Sequence, residues 1–383
     1  MKITLVNGFF LPVPPVRGGA TEKIWHRLAQ LFAAAGHEVV FVSRTWPGFA
    51  DREVVDGVAH LRVRGADHTR SLALNLWRDF WWGVRVARAL PPADIVICTC
   101  VTLPVWLRRI KPAAGRVAVV IGRAPKGRGR AYGGVDLVFS LTEAMTAVLR
   151  AENPRLASRI AQFHNPIDWT LHAAAAAKAP LPAPVTVGYV GRVHPEKGLR
   201  LLLAAAARLA ARADLPAWRL EIVGPVAVTA GGGGESFRDA LVAEFGPVLG
   251  ARLAFPGPEY DATKLAKRYG AMDVFCYPSL AENGETFGVA IAEAMAARCA
   301  PVVSGLACFQ ELVRDGDTGL VFDHAAPDAV DRLAAALARL IVDPTQRGAM
   351  AARAQAHVRP YDYPETARAV LADLARLTSS AAK

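Results

Sequence analysis

The sequence predicts an α/β protein built from two Rossmann-like, doubly wound domains. Three observations lead there: a length of 383 residues, a repeated alternation of short β-branched runs with amphipathic helices, and a break in that alternation near the middle. At roughly 100–200 residues per domain, the length suits two domains. Residues 2–7 read as a strand, and residues 21–35 as a helix with Ile24, Leu28, Leu31 and Phe32 on one face. Gly36 ends that helix and residues 39–43 supply the next strand, completing a βαβ unit. Further buried strands are expected at 95–99, 117–121 and 135–141. After Asn165-Pro166-Ile167-Asp168 the composition changes, and residues 173–184 are almost entirely alanine and proline, as in a linker. The alternation then restarts, with strands at 185–190, 219–223, 253–255, 274–277, 301–304 and 319–322 and a helix at 199–213. The expected division is therefore a first domain at 1–168, a linker at 169–184 and a second domain at 185–360. A helix within 361–383, after Pro360-Tyr361-Asp362-Tyr363, is expected to return to the first domain. Ligands of such sheets sit beyond the carboxyl ends of the strands, so the cleft between the domains is the expected site.

Composition narrows the function classes. With 52% hydrophobic and 21% charged residues, the chain can pack full cores and disorder is not expected. Cys98, Cys100, Cys276, Cys299 and Cys308 are odd in number and form no C-x-x-C pair. They read as buried thiols in an intracellular, cytoplasmic protein. Prolines at 12, 14 and 15 cut the first apolar run too early for a signal core, and no run approaches a membrane span. A net charge of +11 favours acidic partners, phosphates or an anionic membrane surface. No helix-turn-helix, zinc-finger or RNA-binding signature points to nucleic acid.

Three constellations carry chemistry. The first runs from Pro278-Ser279 through Glu285-Thr286-Phe287-Gly288 to Glu293-Ala294-Met295-Ala296. Here a strand gives way to a polar loop and then a helix starting near Phe287, whose first amides suit a diphosphate. Gly288 admits the phosphate without a Cβ in the way. Glu285 and Glu293 are eight residues apart, a rise of ~12 Å if helical, which is comparable to the span from sugar ring to ribose in a nucleotide sugar. A helix-dipole acid followed by a solvent-facing acid is the plain alternative. The second constellation is Gly191-Arg192-Val193-His194-Pro195-Glu196-Lys197-Gly198, where two cations at a strand end can neutralise a departing diphosphate. An exposed ion pair of little energetic worth is its alternative. The third is Arg17-Gly18-Gly19, a glycine loop whose amides can approach a phosphate, although many βα turns contain Gly-Gly.

Taken together, these motifs resemble the family 4 retaining glycosyltransferases of the GT-B fold, whose hallmark is a pair of glutamates with seven residues between them. Gly36-His37, Asn165-Pro166-Ile167-Asp168 and the stretch from Gly305 through Glu311, Gly316 and Gly319 also match. The resemblance implies that Arg192 and Lys197 bind the donor diphosphate, Glu285 the donor sugar and Glu293 the ribose. Thr286, Phe287 and Gly288 would offer amides, Gly18 and Gly19 a phosphate loop, and Gly257-Pro258-Glu259 a position near the base. It also implies a retaining, same-face transfer from a nucleoside diphosphate sugar, UDP favoured, with no metal and no other cofactor. An epimerase or phosphorylase on the same fold, or a nucleotide-sugar binder without turnover, remains an alternative.

The chain departs from the family at one point. Many relatives carry a histidine after a first-domain strand, and Gly122 through Arg130 contains none. Arg123, Lys126, Arg128 and Arg130 there read either as a seat for an acidic acceptor or as a solvated basic loop. Asp315-Gly316-Asp317 reads as a turn rather than a metal site. Trp77, Phe80, Trp81 and Trp82, followed by Arg85 and Arg88, have the spacing of an interfacial helix or of an interior face flanked by arginines.

Overall fold

Continuous apolar runs are what a parallel sheet covered on both faces selects. A computed structural model, which describes residues 1–16, 19–123, 125, 127–176, 184–282 and 284–379, places them in two such sheets. The chain divides into one unit of Met1–Pro166 with Tyr363–Lys383 and a second of Ile167–Asp362.

In the first unit the order is β1 (Lys2–Val6), α1 (Ala20–Ala34), β2 (Glu38–Arg44), β3 (Arg52–Val55), β4 (Val58–Val63), α2 (Leu72–Ala89), β5 (Ile95–Cys98), α3 (Leu103–Ile110), β6 (Arg116–Ile121), β7 (Leu137–Ser140), α4 (Glu143–Glu152) and β8 (Ile160–Gln162). The strands lie in the order β3-β4-β2-β1-β5-β6-β7-β8, and only β3–β4 is antiparallel. Ile3 pairs with Val39 on one side and Ile95 on the other, so the sheet reverses direction at β1. Its core includes Ile3, Leu5, Phe41, Ile97 and Phe139.

The second unit runs α5 (Trp169–Ala175), β9 (Val185–Val190), α6 (Leu199–Ala210), β10 (Trp218–Val223), α7 (Glu235–Leu249), β11 (Leu253–Gly257), α8 (Ala262–Gly270), β12 (Val274–Tyr277), α9 (Val289–Ala296), β13 (Ala300–Ser304), β14 (Leu320–Phe322), α10 (Ala329–Val342) and α11 (Pro344–His357). The sheet is wholly parallel, in the order β11-β10-β9-β12-β13-β14. The winding therefore switches direction between β9 and β12. Loops leaving the carboxyl ends of two such strands diverge and open a crevice. A last helix, α12 (Tyr363–Ser379), belongs to the first unit and gives Ala367, Val370 and Leu374 to its core.

Three expectations need correction. Residues 169–184 are not all linker, because Trp169–Ala175 is helical. Asp168 caps it by accepting from Leu171 N at 3.0 Å, and its alanines are strong helix formers. Residues 177–183 lie outside the described residues. The β3–β4 pair was not anticipated, and the helix expected over 199–213 stops at Ala210. No helix among the described residues is long and apolar enough to cross a membrane.

Candidate donor site

The loops leaving β9 and β12 bring together Arg192, Lys197 and Glu285, three of the residues singled out in the second domain. β9 ends at Val190 and leads into Gly191 and Arg192, and the chain makes a short 3-10 turn, Pro195–Lys197, before α6. His194 caps the turn by accepting from Glu196 N at 3.3 Å. β12 ends at Tyr277 and continues into Pro278-Ser279. The two loops are tied by Leu280 N donating to Glu196 O at 2.8 Å. Gly198, at φ 68°, permits that approach, since a Cβ there would lie 2.0 Å from Pro278 O.

This packing sets Lys197 against Glu285. The ammonium donates to Glu285 Oε1, and the side chains are only 6% and 10% exposed. Ser279 Oγ donates to the same oxygen at 2.9 Å and Tyr277 OH at 3.1 Å. A buried carboxylate facing one cation and two hydroxyls is satisfied, as burial of charge requires. The Tyr277 ring lies 5.8 Å from the ammonium and stacks on Tyr189 at 5.6 Å. Burial, and secondly the Glu285 charge, push both phenols well above their usual range, so they remain donors. The exposed-pair alternative therefore does not describe Lys197. It does describe Arg192, whose side chain is 43% exposed and pairs with Glu196 at 2.5 Å. Arg192 also donates to Gly231 O at 2.9 Å.

Helix α9 starts at Val289, two residues later than expected, with Gly288 as N-cap at φ 93°. Its hydrogen bonding begins with Ile291 N and Ala292 N donating to Gly288 O, so the amides before them have no intrahelical acceptor. A Cβ on Gly288 would sit 2.8 Å from the Ile291 side chain. Thr286 and Phe287 approach this terminus, and Phe287 is buried edge-on against Tyr361. Because Glu285 precedes the helix, the 1.5 Å rise does not apply along the whole interval to Glu293. Glu293 lies on α9 and accepts from Tyr269 OH at 3.1 Å, with His172 Nε2 3.9 Å away. Gly257 ends edge strand β11 at φ 84° and accepts from Gly224 N at 3.2 Å, next to exposed Pro258. Glu259 caps Asp261 N at 3.0 Å.

The remaining candidates lie in the first unit. Gly18 and Lys126 lie outside the described residues. Gly19 is the N-cap of α1 at φ 93°, and Glu22 Oε2 would lie 2.1 Å from a Cβ there. Asn7 donates to Glu22 at 3.0 Å, and burial raises the Glu22 pKa. Arg123 acts on Glu22 by charge, and Arg128 turns back to Pro125 O at 3.1 Å. Arg130 lines an open cavity of about 480 Å³ with Arg109 and Arg155. Asp315 caps Val321 N and Asp317 pairs with Arg353 at 2.7 Å, as a turn does. Sequence reasoning assigned no role to Tyr277, Ser279, Tyr269 or His172. Ser279 lies within the glutamate motif and Tyr277 just before it, where they could have been found, whereas His172 carries no local signal.

Comparison with known proteins places these observations. Residues 184–343 match the family model described as Glycosyl transferases group 1. The chain is 37% identical over 179 residues to a phosphatidyl-myo-inositol mannosyltransferase of Mycolicibacterium smegmatis, a match covering 46% of this chain and 42% of that protein. It is 34% identical over 193 residues to a D-inositol 3-phosphate glycosyltransferase of Rhodococcus opacus, covering 50% and 40% of the two chains. These matches thus span less than half the length of either relative. Among solved structures, a sucrose-phosphate synthase from Thermosynechococcus elongatus superposes with a TM-score of 0.76 at 22% identity, covering 99% of both chains. Anabaena HepE in complex with UDP gives 0.73 at 18% identity, covering 98% of this chain and 100% of that one. The two parallel α/β units are those of the GT-B fold.

Proposed function

We propose, for a chain whose residues 184–343 match the model of the group 1 glycosyl transferases, that it moves a sugar from a nucleoside diphosphate sugar to an acceptor hydroxyl with retention of anomeric configuration. The observation that carries this reading is the buried Lys197–Glu285 pair beside the open amides of α9. An ammonium, the rim guanidinium of Arg192 and the amides around Gly288 supply the positive field a departing diphosphate needs. Glu285 takes sugar hydroxyls and Glu293 the ribose. The bond from the anomeric carbon to the phosphate oxygen breaks, and the acceptor oxygen attacks the oxocarbenium-like centre from the same face. The leaving phosphate takes the acceptor proton. The step needs no protein nucleophile and no divalent metal. UDP is the favoured nucleotide, in keeping with the complex formed by the Anabaena relative.

UDP or GDP in excess is expected to raise the thermal midpoint, since saturation to one hundred times Kd stabilises by about 2.7 kcal/mol. Glu293→Ala should shrink that shift. No shift with UDP, GDP or ADP would remove the reading. Product analysis then separates transfer from epimerisation, which consumes no acceptor.

Helix α2 supports a peripheral contact with an anionic membrane, and with it a lipid-borne acceptor such as those named for the mycobacterial relatives. Trp82 is buried and donates to Asn7 O at 3.1 Å, while Asp79 accepts from Thr102 N at 2.7 Å. These fix the helix with Leu72 (74% exposed), Trp77 (60%), Phe80 (42%) and Trp81 (43%) outward among arginines. The protein should sediment with phosphatidylglycerol-containing vesicles at low salt, and Trp77→Ala with Trp81→Ala should abolish most of this. Equal sedimentation of wild type and variant would exclude α2 as the contact.

A further inference from the structure

Glu293 is held by residues that lie outside the motif containing it. Tyr269, fully buried near the end of α8, donates its hydroxyl to Glu293 Oε2 at 3.1 Å. His172 on α5 is 4% exposed, and its Nε2 stands 3.9 Å from Glu293 Oε1. The two rings meet edge to face with centroids 5.5 Å apart. Three helices, α5, α8 and α9, thus converge on one carboxylate. The phenol has no room to swing away. Its ring packs against Phe275 at 5.7 Å, and Cys299 Sγ donates to the Tyr269 carbonyl at 3.1 Å.

A carboxylate meeting a vicinal diol must present its oxygens in one orientation, and a fixed donor on one oxygen sets that orientation. We propose that Tyr269, braced by His172, is a positioning residue that aims the Glu293 carboxylate at the ribose diol and so selects ribonucleotide over deoxyribonucleotide donors. The inference rests on the reading of Glu293 as the ribose contact and adds the residues that make the contact selective. Burial, and then the Glu293 charge, push the Tyr269 phenol well above its usual range, which keeps it a donor. Burial lowers His172 to about 4, so at neutral pH the ring packs on Tyr269 without adding a cation beside the carboxylate.

The test is calorimetric titration of the full chain with UDP, 2′-deoxy-UDP and 3′-deoxy-UDP, and with the corresponding GDP series. Wild type should prefer the ribonucleotide by about tenfold, the worth of one hydrogen bond to a charged group. Glu293→Ala should level the series. Tyr269→Phe, which removes one oxygen and keeps the ring, should lose most of the preference while leaving deoxynucleotide affinity within about twofold. His172→Ala, which removes the ring packed on Tyr269, should lose part of the preference, and His172→Phe, which keeps an aromatic ring there, should retain most of it. The inference is overturned if Tyr269→Phe keeps the wild-type preference, or if it weakens all three ligands equally, as a structural role would. Loss of preference in Glu293→Ala alone overturns this inference and leaves the ribose contact standing. An unchanged preference in Glu293→Ala removes the ribose contact itself, and this inference with it.

Discussion

Replacing Lys197 with methionine is expected to lower donor turnover by about 10²–10³-fold, the cost of removing one preorganised group from a developing negative charge. The substitution keeps the length and apolar stem of the side chain but deletes the cation that faces Glu285. It should also destabilise the fold, because Glu285 stays buried with only the Tyr277 and Ser279 hydroxyls named above. Breaking a buried pair from one side costs about 3–5 kcal/mol. The two effects separate in a double variant. Adding Glu285→Gln removes the stranded charge, so Lys197→Met/Glu285→Gln should regain much of the lost denaturant midpoint while turnover stays low. Slow hydrolysis of UDP-sugars provides the assay without knowledge of the acceptor. Turnover within threefold of wild type in Lys197→Met would remove the lysine from the chemistry.

Gly198→Ala should be among the most destabilising single-methyl changes in the second unit. The backbone at φ 68° is left-handed, which costs an L-residue about 1–2 kcal/mol. The new Cβ would also lie 2.0 Å from Pro278 O, on the backbone that links the two site loops. Relief requires moving either the start of α6 or the Pro278-Ser279 segment, and the latter takes the Ser279 hydroxyl away from Glu285. A total of about 3–4 kcal/mol is expected, with loss of nucleotide-induced stabilisation. Gly316→Ala is the control. It has φ 74° but nothing within 4 Å of its Cβ, so it should show the backbone cost alone. Equal losses in the two variants would show that the contact with Pro278 contributes nothing.

The parallel strands were legible because each is a short apolar run closed by a turn, as at Val185–Val190 and Val274–Tyr277, where expected and observed bounds agree. The β3–β4 pair was not, because Arg52, Glu53, His60 and Arg62 interrupt its apolar pattern. Arg62 is nonetheless buried, held by Glu53 at 2.5 Å and by Val13 O at 3.1 Å. A tertiary partner overrode the local signal there. Helix α5 was misread for the opposite reason: an alanine run carries strong helix propensity but no periodicity. In the site, the residue types of Lys197 and Glu285 were legible. Their pairing was not, since 88 residues separate them and only the meeting of the β9 and β12 loops joins them. Glu293 was read from its motif, while Tyr269 and His172 reach it from helices whose sequences mark nothing unusual.

The placement of α12 in the first unit has a consequence for biosynthesis. Ile167–Asp362 is an unbroken stretch, so the ribosome delivers every part of the second unit before it delivers the helix that completes the first. Ala367, Val370 and Leu374 fill positions among residues translated more than 200 codons earlier, and until they emerge that hydrophobic surface stays uncovered. The half made first is therefore the half finished last. A nonsense codon just after Asp362 would leave the second unit whole and its elder neighbour prone to aggregation.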